Sequence, residues 1–291
     1  RRKAPFAIGH FGCRIRVRIH MNKPPLHFYR MSLSMKSVHI QCLDENKKAI
    51  KGANASGFIV EEKGELFLYT CWHVVTGYDM HEVKIGNNLP DRKYIEVNLQ
   101  ACDKRHPGVQ LIGGNQTLTL PLYDEHGCPL WIQNCQDVPN PDLNAIHLKV
   151  PFWHDAVKLA LPKYISVSEM QFIKEEEILF HNSPMIGDKL YIVGYPYGYS
   201  ALGMEQPTPI VLTRFLAADR IKDRQSEILL DGPGAPGMSG GPAFVERDNS
   251  IYLVGIYTGL IYPDYLVEKK EKSTALGTCS NLVVWWSIEN E

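Results

Sequence analysis

From Ser37 onward, short apolar runs alternate with clusters of Gly, Pro, Asn and Asp, and few windows hold a 3.6-residue apolar period. This pattern predicts β-structure almost throughout. Strands are expected over Val38 to Leu43, Gly57 to Glu61, Leu66 to Cys71, Tyr94 to Leu99, Thr117 to Leu122, Asn144 to Val150, Lys189 to Gly194, Ile210 to Ala217, Glu227 to Leu230, Gly241 to Val245 and Tyr252 to Tyr257. About eleven strands over about 250 residues suit a pair of small barrels or sandwiches. The stretch from Pro151 to Pro184, with Pro162 and the acidic Glu175-Glu176-Glu177, breaks the pattern and is expected to be a junction. The organisation predicted is a basic extension over 1–35, a first β-unit over 36–150, a linker over 151–184 and a second β-unit over 185–291.

Composition narrows the class. With 291 residues, 44% of them hydrophobic, and 31 basic against 32 acidic side chains, the chain reads as an ordinary folded protein. A chain of this size buries roughly 75% of its unfolded surface. No apolar run approaches the roughly 20 residues needed to cross a bilayer, and no secretory h-region is visible, so the default compartment is the cytoplasm. The seven cysteines (Cys13, Cys42, Cys71, Cys102, Cys128, Cys135 and Cys279) are odd in number and contain no CxxC. This argues for reduced thiols over a disulfide framework or a zinc cluster. Residues 1 to 30 carry eight basic side chains and no acid. Such an arm can hold nucleic acid, but Met21, Met31 and Met35 are possible starts, and an accessory segment is the preferred reading. A nucleic-acid partner is disfavoured.

Candidate chemistry concentrates in Asp231-Gly-Pro-Gly-Ala-Pro-Gly-Met-Ser-Gly-Gly-Pro242. A serine here can be a plain turn residue. Against that, Gly237-Met238-Ser239 lets the backbone amides of Gly237 and Ser239 converge on one point and stabilise a developing oxyanion. The run also matches a G-x-S-x-G elbow, which needs its acid and its His after the Ser. All eleven histidines lie at or before His181, so that order fails. An order of His, Asp, Ser has both partners upstream. The His expected is His73, at the end of the apolar run Leu66 to Val75. The acid expected is Asp142, where a polar turn ends in Asn140-Pro-Asp-Leu. Asp137 is the near competitor, and Asp155, beside His154, is read as the start of a charged linker. His and Asp then lie in the first barrel and Ser in the second, with the site between them.

Taken together, Ser56-Gly57-Phe58-Ile59, Thr70-Cys-Trp-His73-Val, Asp142-Leu, Gly187 to Pro196, Gly237-Met-Ser-Gly-Gly-Pro242 and Val254-Gly-Ile-Tyr-Thr258 resemble the trypsin-like serine peptidases, in particular their bacterial HtrA-like branch. The resemblance covers residues 36 to 287. It implies an all-β fold, a double antiparallel β-barrel of the chymotrypsin type, with serine endopeptidase activity on protein or peptide substrates through an acyl-enzyme. It implies no metal and no cofactor. It also implies a substrate pocket lined by Pro233 and by Tyr257, Thr258 and Gly259.

The chain departs from the family at several positions. Val74 replaces the Cys that secreted relatives carry after the His, in keeping with a reducing compartment. Trp72 replaces a small residue and is expected to crowd the cleft. Met238 stands where zymogen-type enzymes have Asp, so no ion pair with a new N-terminus can order the loop. Pro233 stands where Arg- or Lys-specific relatives have Asp, which predicts an uncharged, small-to-medium apolar residue before the cleaved bond, unless a register shift brings in Asp231. No room is expected for a PDZ module. Asp103 to Asp137 reads as an insertion, and Tyr191, Tyr195, Tyr197 and Tyr199 as packing first and a substrate-lining loop second. The alternative function is a catalytically silent module of this fold that binds protein partners through the same cleft.

Overall fold

The computed structural model describes residues 33–78, 89–103, 111–133, 135–139, 147–151, 155–178, 184–201, 208–222, 225–248, 250–261 and 276–281. The first β-unit is a curled sheet in the order β5-β4-β1-β2-β3-β8, with β9 joined to β2. Its strands are β1 (Val38–Leu43), β2 (Ala49–Glu62), β3 (Glu65–Thr70), β4 (Tyr94–Asp103), β5 (Leu111–Pro121), β8 (Val157–Ala160) and β9 (Phe172–Ile173). A separate hairpin joins β6 (Cys135–Pro139) to β7 (His147–Pro151). The second unit is a closed barrel, β10-β11-β12-β15-β14-β13. It comprises β10 (Lys189–Gly194), β11 (Ile210–Lys222), β12 (Gln225–Leu230), β13 (Pro242–Arg247), β14 (Ser250–Ile261) and β15 (Leu276–Asn281). The all-β double-barrel architecture is the one expected.

Two expectations of organisation are corrected. Residues 151–184 are not simply a linker. Val157–Ala160 pairs antiparallel with β3, from Phe67↔Ala160 to Thr70↔Val157, and Phe172–Ile173 runs parallel to Ile59 and Val60 of β2. The segment from Asp103 is no free insertion either, because Leu111–Pro121 is the antiparallel partner of β4.

The two units share one core face. Along β10, Leu190 and Ile192 point into the second barrel, while Tyr191 and Val193 pack with the first core. β13 repeats this, with Ala243 and Val245 inward and Phe244 outward. On β14 a register shift opposite Ala243 and Phe244 interrupts the alternation, and Val254 and Tyr257 lie with the second core while Leu253 and Ile256 lie with the first. Alternation with period two sends successive side chains to opposite faces, so strands apolar at both parities are buried on both faces. Val193, Phe244, Leu253 and Ile256 are each at most 2% exposed, and burying such a side chain is worth about 1.5–3 kcal/mol. This apolar face holds the two units at a fixed separation.

His39 sits on the polar margin of that face, 2% exposed. Its ring meets Tyr195 edge-on at 5.3 Å between centroids. Nε2 lies 3.2 Å from Asn54 Oδ1, and Nδ1 lies 3.4 Å from Asn98 Nδ2. A neutral ring protonated on Nε2 satisfies both amides, whereas a second proton on Nδ1 would face the Asn98 amide donor. Burial also pushes the His39 pKa down, with the Asn54 hydrogen bond a smaller opposing effect. The unfolded chain therefore takes up this proton first, at about pH 6.5. The stability it contributes is complete above about pH 6.5 and is lost as pH falls through the lower folded value. Denaturant titrations of the native chain and His39→Gln over mildly acidic pH should show a steeper loss in the native chain; identical slopes would remove His39 as the cause.

Candidate active site

β3 ends at Thr70, and the chain turns into the short helix α1 (Trp72–Thr76), with Gly77 in the left-handed region at φ 82 as its C-cap. The Gly77 amide donates to His73 O at 3.0 Å. Arg92 Nη1 donates to His73 O at 2.6 Å and Val74 O at 2.5 Å. Backbone carbonyls at a helix end have no partner within the helix, and a cation there also opposes the helix dipole. Trp72 does not stand free in a cleft; it is half-buried against the first core.

Cys71, the N-cap, makes no side-chain cap bond. The acceptor for the helix start comes from 82 residues away. Asp155 Oδ1 accepts the His73 amide at 2.9 Å, and Asp155 Oδ2 lies 2.6 Å from His73 Nδ1. The ladder explains the placement: Thr70 pairs with Val157, so antiparallel register brings residue 155 opposite residue 72. The two side chains are 17% and 10% exposed. A carboxylate on Nδ1 fixes the ring so that Nδ1 carries the proton and Nε2 is free to accept one. Asp142 lies outside the described residues, and of its near competitor Asp137 only the backbone is described. The carboxylate on His73 is thus Asp155, the residue read from sequence as the start of a linker.

Cys71 Sγ, fully buried, donates to Tyr257 O at 3.2 Å. Burial first, and then the Asp155 charge, push its pKa well up. Sγ, a His73 ring nitrogen and an Asp155 oxygen lie within 4.8 Å of one another. That is a metal-like spacing, but the His73 and Asp155 atoms are already bonded to each other.

In the second unit every carbonyl from Ala235 to Ser239 has a donor. Met238 N donates to Ala235 O at 3.1 Å, Tyr197 N to Pro236 O at 2.5 Å, Gly241 N to Met238 O at 2.9 Å and Ser56 N to Ser239 O at 2.9 Å. Ser56 Oγ donates to Gly237 O at 2.7 Å. Gly240 N is spent on Tyr257 O at 2.8 Å. The amides of Gly237 and Ser239 donate to nothing among the described residues, as does that of Ala235, and the first two are the pair expected for an oxyanion. Gly237 has φ +90, and a Cβ there would stand 2.5 Å from Tyr195 O. Met238, fully buried, fills the second core. Ser239 Oγ donates to Thr258 O at 3.4 Å and makes no bond to His73.

The pocket residues also have fixed partners. Pro233 O accepts from Arg214 Nε at 3.1 Å and Nη2 at 2.6 Å. The Gly234 amide donates to the Tyr257 hydroxyl at 3.1 Å. Thr258 Oγ1 meets Thr278 Oγ1 at 2.7 Å, and Gly259 takes φ 159 in β14. Asp231 is exposed and accepts from the Phe215 amide at 3.0 Å. The tyrosine group divides: Tyr191 and Tyr195 are buried, while Tyr197 and Tyr199 are 72% and 60% exposed.

Cys71 and the exposed Cys128 provide a check on this packing. Peptide-resolved mass spectrometry after brief iodoacetamide treatment of the native chain should find Cys128 alkylated and Cys71 untouched until denaturant is added. Labelling of Cys71 at a comparable rate would show an open site.

No curated protein matches the chain. Among solved structures it is similar to the active form of the Rv3671c protease from M. tuberculosis, at 13% identity and a TM-score of 0.45, over 90% of this chain and 82% of that one. The model for the trypsin-like peptidase domain matches residues 55–256, and the chain belongs to that family.

Proposed function

We propose that the chain is a serine endopeptidase in which Ser239 is the nucleophile, His73 the base and Asp155, rather than Asp142, the acid. The observation that carries this reading is the double contact of Asp155 with the His73 amide and Nδ1. Ser239 Oγ attacks the peptide carbonyl and forms a C–O bond while its proton passes to His73 Nε2. The carbonyl oxygen becomes an oxyanion held by the amides of Gly237 and Ser239. Collapse of this intermediate breaks the C–N bond, and His73 returns the proton to the leaving amine. Water, deprotonated by the same His, then releases the acyl group. Asp155 stays ionised and stabilises the imidazolium. Among the described residues no helix is long and apolar enough to cross a membrane. Cys42, Cys71, Cys128 and Cys279 are unpaired, in keeping with a reducing compartment such as the cytoplasm.

A silent partner-binding module draws on one observation, the bond from Ser239 Oγ to Thr258 O. At 3.4 Å it lies beyond the usual range for a hydroxyl donor, so this bond holds Ser239 only weakly in its rotamer, and other staggered wells are open to it. A fluorophosphonate probe separates the two readings. The native chain should be labelled, and Ser239→Ala should not. In peptide-ester turnover, Asp155→Asn should lose about 10⁴-fold in kcat, and Asp142→Asn should stay close to native. The reverse order would restore Asp142 as the acid, and absence of labelling in a folded native chain would favour the silent module.

The acyl-side residue is predicted to be small and uncharged. The Tyr257 hydroxyl accepts from the Gly234 amide and so ties the two expected pocket segments together, and the Arg214 guanidinium donates to Pro233 O. Asp231, the acid closest in sequence to Pro233, is turned out to the Phe215 amide, and a buried cation is costly to leave unpaired. Cleavage of a mixed peptide library should enrich Ala, Ser or Val before the cut. Enrichment of Arg or Lys would overturn the pocket assignment.

A further inference from the structure

Ser56 is a first-unit residue buried inside the seam between the two units, and every polar atom it has is engaged. Its amide donates to Ser239 O at 2.9 Å, and its carbonyl accepts from Thr70 Oγ1 at 2.9 Å. Its hydroxyl donates to Gly237 O at 2.7 Å and accepts from the Tyr195 amide at 2.9 Å. The hydroxyl thus has one proton going to the oxyanion turn and one lone pair fixed by the segment after β10. Two glycines make room for it. A Cβ at Gly194 would stand 2.6 Å from Ser56 Oγ, and a Cβ at Gly240 would stand 2.1 Å from Ser56 O.

We infer that Ser56 is a positioning residue for the oxyanion turn, and that its hydroxyl ties the geometry of that turn to the docking of the first unit on the second. This rests on the peptidase reading above. In a trans peptide the C=O and N–H point in opposite directions. Holding Pro236 O on Tyr197 N aims the Gly237 amide the other way. Holding Gly237 O on Ser56 Oγ fixes the next plane and keeps φ of Gly237 at +90. If the Gly237 carbonyl lost its donor, these two planes could rotate, and the Gly237 amide would leave the point at which it and the Ser239 amide converge. Met238 cannot supply the restraint by charge, so the hydroxyl of Ser56 and the apolar seat of Met238 share it.

The test compares the native chain with Ser56→Ala, after thermal melts confirm that both are folded. Ser56→Cys keeps the shape while weakening the donor. In Ser56→Ala, kcat should fall about 10- to 100-fold, less than the 10²–10³ seen when an oxyanion donor is lost outright, with KM little changed. A peptide aldehyde, whose hemiacetal oxygen occupies the same hole, should lose affinity by the same factor. In a Ser239→Ala background, a peptide that is bound but not cleaved should bind equally well with or without the Ser56 substitution. Ser56→Cys should show a smaller loss of the same pattern. A kcat that stays native in whichever variant folds overturns the inference, as does an equal loss of uncleaved-peptide binding, which would mark a general structural role. A native chain that no fluorophosphonate labels would instead remove the peptidase reading and this inference with it.

Discussion

Three strands buried on both faces, β10, β13 and β14, set the conditions for everything at the site. Their inward residues close the second barrel and their outward residues enter the first core, so that the two units share apolar contacts through a single layer of backbone. Burial at van der Waals contact is unforgiving of displacement, because protein interiors are packed at crystal-like density. The distance between first-unit and second-unit side chains at the rim of that layer is therefore fixed by the core rather than by the rim itself. His73 and Asp155 come from one side of the seam and Ser239 from the other, and none of the three needs a covalent or metal link to hold its place.

What happens where the apolar face ends follows from the same closeness. Backbone approaches backbone there, and the polar groups of both units have to satisfy each other, because a buried amide or carbonyl without a partner costs about 1–3 kcal/mol. Ser56 and Cys71 on one side meet Tyr195, Gly237, Ser239 and Tyr257 on the other through direct hydrogen bonds. Gly240 is required at this point: at φ +87, with Ser56 O where its Cβ would be, no larger residue fits without moving a strand. The glycines that made the loop conspicuous in the sequence are therefore explained twice, by the oxyanion turn and by the seam.

Much of this was legible in the sequence. The strands Val38–Leu43 and Lys189–Gly194 have the boundaries expected of them, because the first alternates apolar with polar residues up to Asp44 and the second is an apolar run that stops at Gly194. His73 and the Gly237–Ser239 turn were legible because their local surroundings are unusual. Asp155 was not, for a physical reason. Its strand, Val157–Ala160, is short and contains Lys158, which reads as a charge in a linker. In the structure Lys158 is 5% exposed, ion-paired with Glu62 at 2.8 Å, and lies over the Phe67 and Tyr69 rings. A long cationic side chain can bury its stem and keep its head paired, so polarity alone misassigned the segment. The usable signal was the run Ala156-Val157 and Leu159 directly after an Asp. Ser56 carries no local signal, because the partners of its hydroxyl are 139 and 181 residues away.

The loop around Ser239 shows how order can be had without charge. A carboxylate at position 238 would need a buried cationic partner, since an unpaired buried ion is strongly unfavourable. Met238 asks for no partner and gains from the same burial, and its flexible thioether fits an irregular gap between Leu190, Ala243 and Val254. With the side chain anchored inward, the loop's carbonyls from Ala235 to Ser239 are each taken by a donor from Tyr197, Ser56 or the turn itself. The amides of the two residues that flank Met238 remain without an acceptor among the described residues. The anchor that orders the loop therefore also separates the two free amides by one residue, the spacing at which both can converge on one developing negative charge.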